Sequence, residues 1–137
     1  MIMGCTKLAN YKLISFDKIP STQDYAHELI NAGRATDKTA VLAAAQSAGR
    51  GRYRRTWVSH HGNLYISFIF EAPERDSRLS YAIAVAVAET IASFGAHPEI
   101  KWPNDVMIND KKVCGILTEA ITKFNSIESV IIGVGID

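Results

Sequence analysis

Cysteine is scarce in this sequence. Cys5 and Cys114 are the only two, and neither stands in a C-x-x-C pair or at the spacing of a Cys/His metal site. A disulfide framework and a structural zinc site are therefore excluded as organising features. Cys114 lies in an apolar run and reads as a small buried hydrophobe. Thiols used in this way fit a reducing compartment, and the expected location is the cytoplasm. An excess of one charge is missing too: 15 Lys and Arg face 14 Asp and Glu, for a formal net charge of +1. No overall electrostatic grip on nucleic acid or on a membrane is indicated. No apolar run approaches the ~20 residues of a membrane-spanning helix, and Met1 to Leu8 has no signal-peptide core. Neither G-x-G-x-x-G nor G-x-x-x-x-G-K-[ST] occurs, which disfavours the common nucleotide folds. His60 and His61 are adjacent, so in a strand they point to opposite faces. With no acidic or cysteine partner at ligand spacing, they are not read as a metal site, and no metal ligand is assigned to the protein.

What is present suits one domain over residues 1–137, with 47% hydrophobic residues to build a core. Tyr11 to Phe16 reads as a strand. Ser21 followed by Asp24 reads as a helix start, with Tyr25, Ala26, Leu29 and Ile30 as its apolar stripe and Gly33 as its stop. Thr39 to Ala45 and Asn63 to Phe70 are strands. Glu71 to Ser77 is a polar turn. Leu79 to Phe94 is apolar almost all round and reads as a buried helix. Glu99 to Trp102 is a short strand stopped by Pro103. Val106 to Ile108 and Val113 to Leu117 flank a hairpin turn at Asn109 to Lys112, and Ser129 to Val134 is the last strand. The order β-α-β-β-α-β-β-β-β predicts an α+β fold: a mixed, largely antiparallel β-sheet with the helices packed on one face.

Several stretches could carry chemistry. Ser47 to Trp57, SAGRGRYRRTW, places four arginines within six residues around two glycines. Glycines let backbone approach a ligand closely, and guanidinium groups grip phosphate or carboxylate in bidentate fashion. A solvated basic loop and an RNA-binding segment remain alternatives, the latter weakened by the near-neutral chain. Lys101 to Asp105, KWPND, sets an ammonium at a strand end before a rigid turn, where it could neutralise two anions that must meet. Ser21-Thr22-Gln23 is explained by capping, and a helix N-terminus also favours an anion. Gly115, Gly133 and Gly135 inside strands mark either bulges or close approach by a ligand.

Taken together, Ser21-Thr22, Gln46 to Arg52 with Arg55 and Trp57, Lys101 to Asp105, and Gly115-Ile116-Leu117 with Glu119 resemble one family. They look like the catalytic domain of biotin protein ligase, also called biotin–[acetyl-CoA-carboxylase] ligase, a class II synthetase-like fold. The resemblance runs from about Tyr11 to Asp137. It implies formation of biotinyl-5′-AMP from biotin and MgATP, then transfer of biotin to a lysine of a biotin carboxyl carrier protein. By position, Ser21, Thr22, Gln46, Gly49, Arg50, Tyr65 and Gly115 would bind biotin. Arg52, Arg55, Trp57, Lys101 and Asn104 would serve ATP and the adenylate, with Lys101 and Arg52 as the catalytic cations. Two positions depart from the family: Arg54 stands where glycine is usual, and Asp137 where asparagine is. The resemblance also implies that the catalytic domain is truncated on its C-terminal side. It gives no C-terminal β-barrel and no N-terminal helix-turn-helix, so a repressor role is not expected; with the near-neutral charge, neither a nucleic-acid nor a membrane partner is expected. An exposed sheet edge would then favour association, including a homodimer. A lipoate ligase of the same fold, or a biotin-binding remnant without full activity, is the rival reading.

Overall fold

The computed structural model describes residues 2–71 and 78–137. The expected turn at Glu71 to Ser77 therefore lies almost wholly outside the described residues. The strands are β1 (Ile2–Leu8), β2 (Tyr11–Ile19), β3 (Thr39–Gln46), β4 (Leu64–Glu71), β5 (Glu99–Lys101), β6 (Asp105–Ile108), β7 (Lys111–Lys123) and β8 (Ser126–Ile136). The α-helices are α1 (Thr22–Asn31) and α2 (Arg78–Ser93). The strands form one sheet in the order β1-β2-β3-β4-β8-β7-β6-β5. Only β2 and β3, joined through α1, run parallel. The α+β class and the mixed, largely antiparallel sheet thus match expectation.

The placement of the helices does not. Strand residues alternate between faces, and the alternation on β8 separates two cores. Ile131 packs with Ile14, Phe16, Val41, Ile69 and the α1 residues Ala26 and Leu29. Its neighbours Val130 and Ile132 pack instead with Val106, Cys114, Ile116 and Ala84 of α2. The helices therefore lie on opposite faces of the sheet, not together on one. The apolar run in β8, Val130-Ile131-Ile132, is the sequence trace of a strand buried on both sides.

Capping starts α1 where the sequence places it. Ser21 has extended backbone (φ −158°, ψ 131°), and its hydroxyl accepts from the Asp24 N–H at 3.2 Å. Gly33, at φ 65°, follows the helix end. α2 is less buried than its composition predicts: Ala84 is its one fully buried residue. It rests on the sheet along one stripe and leaves Tyr81, Ala82 and Ala86 in solvent. Among the described residues no helix is long and apolar enough to cross a membrane.

Candidate active site

The cavity follows from strand register. On the α1 face, Ile69 and Ile131 stand opposite one another and carry the helix. One step along, Ser67, Gly133 and Leu117 form a row across β4, β8 and β7. The next row is Tyr65, Gly135, Gly115 and Asp105, across four strands. Glycine replaces the apolar side chains that fill the space beneath α1. A cavity of about 280 Å³ opens there, lined by these rows, the start of α1 and the arginine loop.

Uncharged groups line the β3–β4 side. Gln46 Oε1 accepts from the Thr22 N–H at 2.8 Å and from its hydroxyl at 3.2 Å. The amide nitrogen of Gln46 donates to Ser59 Oγ at 2.9 Å. Thr22 Oγ1 meets Ser67 Oγ at 2.9 Å, and Ser67 donates to Gln23 Oε1 at 2.9 Å. Ser21, Thr22, Gln23 and Ser67 are buried, so these bonds answer groups that would otherwise be costly to desolvate. Tyr65 is fully buried and donates from its hydroxyl to the His60 carbonyl at 3.0 Å.

Cations line the β6–β7 side. Lys112 Nζ lies 2.8 Å from Asp105 Oδ1 and 5.2 Å from the centre of the Trp57 ring. Arg52 donates to Asn104 Oδ1 at 3.0 Å, and Asn104 Nδ2 donates to the Ile116 carbonyl at 2.9 Å. Arg52 and Arg55 both face the cavity and are exposed. Trp57 lies across the floor. A Cβ built on Gly115 would stand 2.9 Å from its ring, and one on Gly135 would stand 2.5 Å from its Nε1. That buried indole N–H has no acceptor among the described residues.

Arg50 behaves differently from the other loop arginines. Its Nε donates to Asp24 Oδ1 at 2.9 Å, and Nη1 and Nη2 donate to the two Glu119 oxygens at 3.0 and 3.3 Å. Glu119 also receives Gln23 Nε2 at 2.9 Å and contacts His27 Nε2 at 2.9 Å. Burial alone would raise the Glu119 pKa. The bonds from Arg50, His27 and Gln23 outweigh it and hold the carboxyl at about 2. The Arg50 pKa is raised in turn, chiefly by its bond to Glu119. Cys114 points to the α2 core, and burial pushes its thiol up to about 12, so it is an inert hydrophobe as expected.

Most of the expected site residues thus meet at one cavity: Ser21, Thr22, Gln46, Arg50, Arg52, Arg55, Trp57, Tyr65, Asn104 and Gly115 all line it. Gly49 does not. It sits behind the wall, where a Cβ would meet the Trp57 carbonyl oxygen and Ser59 Oγ. Lys101 is exposed at the end of β5 and is also outside the lining. The lysine at the wall is Lys112, to which sequence reasoning gave no role of its own. Strict alternation puts Lys112 on the face opposite Gly115. An irregularity in the β6–β7 pairing, between Val106 and Met107, breaks that alternation, and the Lys112 side chain comes to rest beside Gly115.

A family model described as the Biotin/lipoate A/B protein ligase family matches residues 15–137. The chain belongs to this family. It is 44% identical over 137 residues to the bifunctional ligase/repressor BirA of Bacillus spizizenii, covering 96% of this chain and 42% of that relative. To the BirA of Escherichia coli it is 37% identical over 124 residues, covering 87% of this chain and 38% of the relative. Among solved structures, biotin protein ligase from Aquifex aeolicus in complex with biotin and ATP superposes with a TM-score of 0.80 at 34% identity. That match covers 91% of this chain and 51% of the other. The chain spans less than half the length of these curated relatives.

Proposed function

We propose that this chain carries the adenylating site of a biotin protein ligase. A carboxylate oxygen of biotin attacks the α-phosphorus of ATP, the bond to the β-phosphate oxygen breaks, and pyrophosphate leaves. In the second step a lysine amine of a biotin carboxyl carrier protein attacks the acyl carbon. The amide forms, AMP leaves, and the amine gives up a proton. One observation carries this reading. The cavity has uncharged hydrogen-bonding groups at the β3–β4 side and three cations, Lys112, Arg52 and Arg55, at the other.

That division matches the reactants. A bicyclic urea suits Thr22, Gln46 and Ser67, while the meeting of a carboxylate and a triphosphate needs the cations. Lys112, held by Asp105, would offset the repulsion between the two anions and stabilise charge in the transition state. Arg52 and Arg55 would hold phosphate oxygens, and Trp57, Tyr65 and Gly115 would wall the ligands. The unpaired Trp57 N–H is a donor left for a ligand acceptor. We assign the cationic role to Lys112 in place of Lys101, because Lys112 is at the wall. Among the described residues no cluster of three His, Cys, Asp or Glu side chains is placed to hold a metal ion. Mg²⁺ belongs to the proposal as the counter-ion of the ATP phosphates.

The test is biotin-dependent exchange of labelled pyrophosphate into ATP. We expect exchange in the unmodified chain, a loss of about 100-fold or more in Lys112→Ala, and a change of only a few-fold in Lys101→Ala. Biotin binding without any exchange would make the chain a binding remnant. Loss in Lys101→Ala alone would return the role to that residue.

A further inference from the structure

Gln23 lines the cavity and is buried, yet no step of the proposed reaction uses it. Its amide lies over Gly133, where a Cβ would stand 2.6 Å from the Gln23 Oε1. A glycine on β8 thus makes the seat for it. Both ends of the amide are held. Nε2 donates to Glu119 Oε2 at 2.9 Å and to the Ile131 carbonyl at 3.4 Å. Oε1 accepts the Ser67 proton at 2.9 Å. An ionised carboxylate and a carbonyl accept hydrogen bonds and cannot donate them. The reverse orientation would set the amide oxygen against two acceptors, so the nitrogen faces Glu119 and the oxygen faces Ser67.

The consequence runs along the hydroxyls. Ser67 has one proton and gives it to Gln23. Thr22 Oγ1 lies 2.9 Å from Ser67 Oγ and 3.2 Å from Gln46 Oε1, and either oxygen can take its single proton. Both protons are spent on protein oxygens, which leaves each hydroxyl only lone pairs to offer a ligand. With the Gln23 amide reversed, an N–H would meet Ser67 Oγ and free the Ser67 proton to turn into the cavity as a donor.

We propose that Gln23 is a positioning residue that determines specificity: its oriented amide makes the uncharged end of the cavity an acceptor surface, which takes a ligand head carrying N–H donors and refuses one that brings oxygen lone pairs. This deepens the ligase reading and rests on it for the identity of the ligand. The N–H groups of a cyclic urea answer such a surface, whereas the dithiolane ring of lipoate has no N–H to give. A head that meets lone pairs with lone pairs leaves buried acceptors unpaired, and a site built around hydrogen bonds discriminates strongly on that ground. Gln23 and its partners Ser67, Glu119 and Ile131 stand on α1, β4, β7 and β8. The polarity therefore needs nothing from the arginine loop.

The test measures binding by calorimetry on the full chain. The probes are biotin and its two carbamate analogues, in each of which one ureido N–H is replaced by a ring oxygen of nearly the same size. In the unmodified chain the weaker-bound analogue should lie about 100-fold below biotin. Gln23→Met keeps the length of the side chain and removes the acceptor. Biotin should then lose about tenfold and the analogue nothing, because the freed Ser67 proton can turn to the ring oxygen. Gln23→Glu should restore the discrimination. Beside Glu119 its carboxyl keeps a proton, donates it to Glu119 and accepts from Ser67 as the amide does.

Equal weakening of both ligands in Gln23→Met would mean that Gln23 only fills space, and would overturn the proposal. A folded Gln23→Glu that discriminates no better than Gln23→Met would do the same. Circular dichroism shows whether each variant folds, and Ser67→Ala, which removes the middle of the relay, should lower the discrimination if Gln23→Met does not fold. The orientation is read separately by NMR of the unliganded chain: the Gln23 amide protons should show cross-relaxation to the Glu119 methylene protons and none to the Ser67 methylene protons. The opposite pattern overturns the proposal whatever the chain binds. Should the unmodified chain bind neither biotin nor the analogues, the ligase reading fails, while the NMR pattern still decides the polarity.

Discussion

At the scale of single residues, the cavity is made by side chains that are absent. Gly135 faces the Trp57 indole so closely that an added Cβ would lie 2.5 Å from Nε1 and 2.8 Å from Cε2. The obstacle is a side chain and not backbone, so the indole can yield. Gly135→Ala should therefore push Trp57 off the floor toward solvent, at a cost of about 1–3 kcal/mol for the lost fit. The expected readout is a red shift of Trp57 emission, recorded in a Trp102→Phe background because Trp102 is the only other tryptophan. An unshifted spectrum would mean that the floor has room to spare. The glycines could be read from the sequence as sites of close approach, but the partner could not. Contact between Trp57 and Gly135 joins residues 78 positions apart, and no local pattern encodes it. Lys112 escaped notice for a related reason. The strand irregularity that turns it toward the cavity interrupts the period-two alternation on which a reading of the sequence relies.

Among the elements, those with a strong local signal were legible and those held by pairing alone were not. Ser21 capping, Gly33 and the alternating strands β2, β3 and β4 all follow from residue type. β1 did not, because it lies at the sheet edge with both faces largely exposed and so shows no alternation. β7 and β8 run longer than expected, since their outer ends meet in a turn at Phe124 and Asn125 (φ 50° and 61°) that lacks glycine. The arginine loop carries the same kind of conformation. Tyr53 and Arg54 both sit at positive φ, 56° and 57°, which costs a non-glycine residue about 1 kcal/mol. The family's usual glycine at position 54 thus has a backbone reason. Arg54→Gly should relieve the strain and, after the added freedom of the unfolded chain, gain about 0.5 kcal/mol. Urea unfolding measures it, and a loss of stability would show that the Arg54 side chain makes a contact worth more than the strain.

For the molecule as a whole, the site lies at the seam of the sheet. β8, the last strand in sequence, inserts between β4 and β7 and joins β1–β4 to β5–β7. The α1 face of that seam holds the cavity, and the α2 face holds the second core. Counting strands and helices gave the class. It could not give the faces, which depend on long-range register. Glu119 ties the parts together, since β7, α1 and the arginine loop meet on one carboxylate, and this should appear in the pH dependence of unfolding. The folded pKa of Glu119, about 2, lies below the ordinary 4.5. Its contribution is therefore complete above about pH 4.5 and is lost as the pH falls toward 2. Glu119→Gln should cost about 1–3 kcal/mol at pH 7, and the gap to the unmodified protein should close progressively between pH 4.5 and 2. The other carboxylates are common to both proteins and cancel in that difference. Urea titrations of the pair at pH 7, 4 and 3 test the point. A gap that stays constant with pH would mean that the glutamate stabilises by its shape, and that the charge meeting Arg50 contributes nothing.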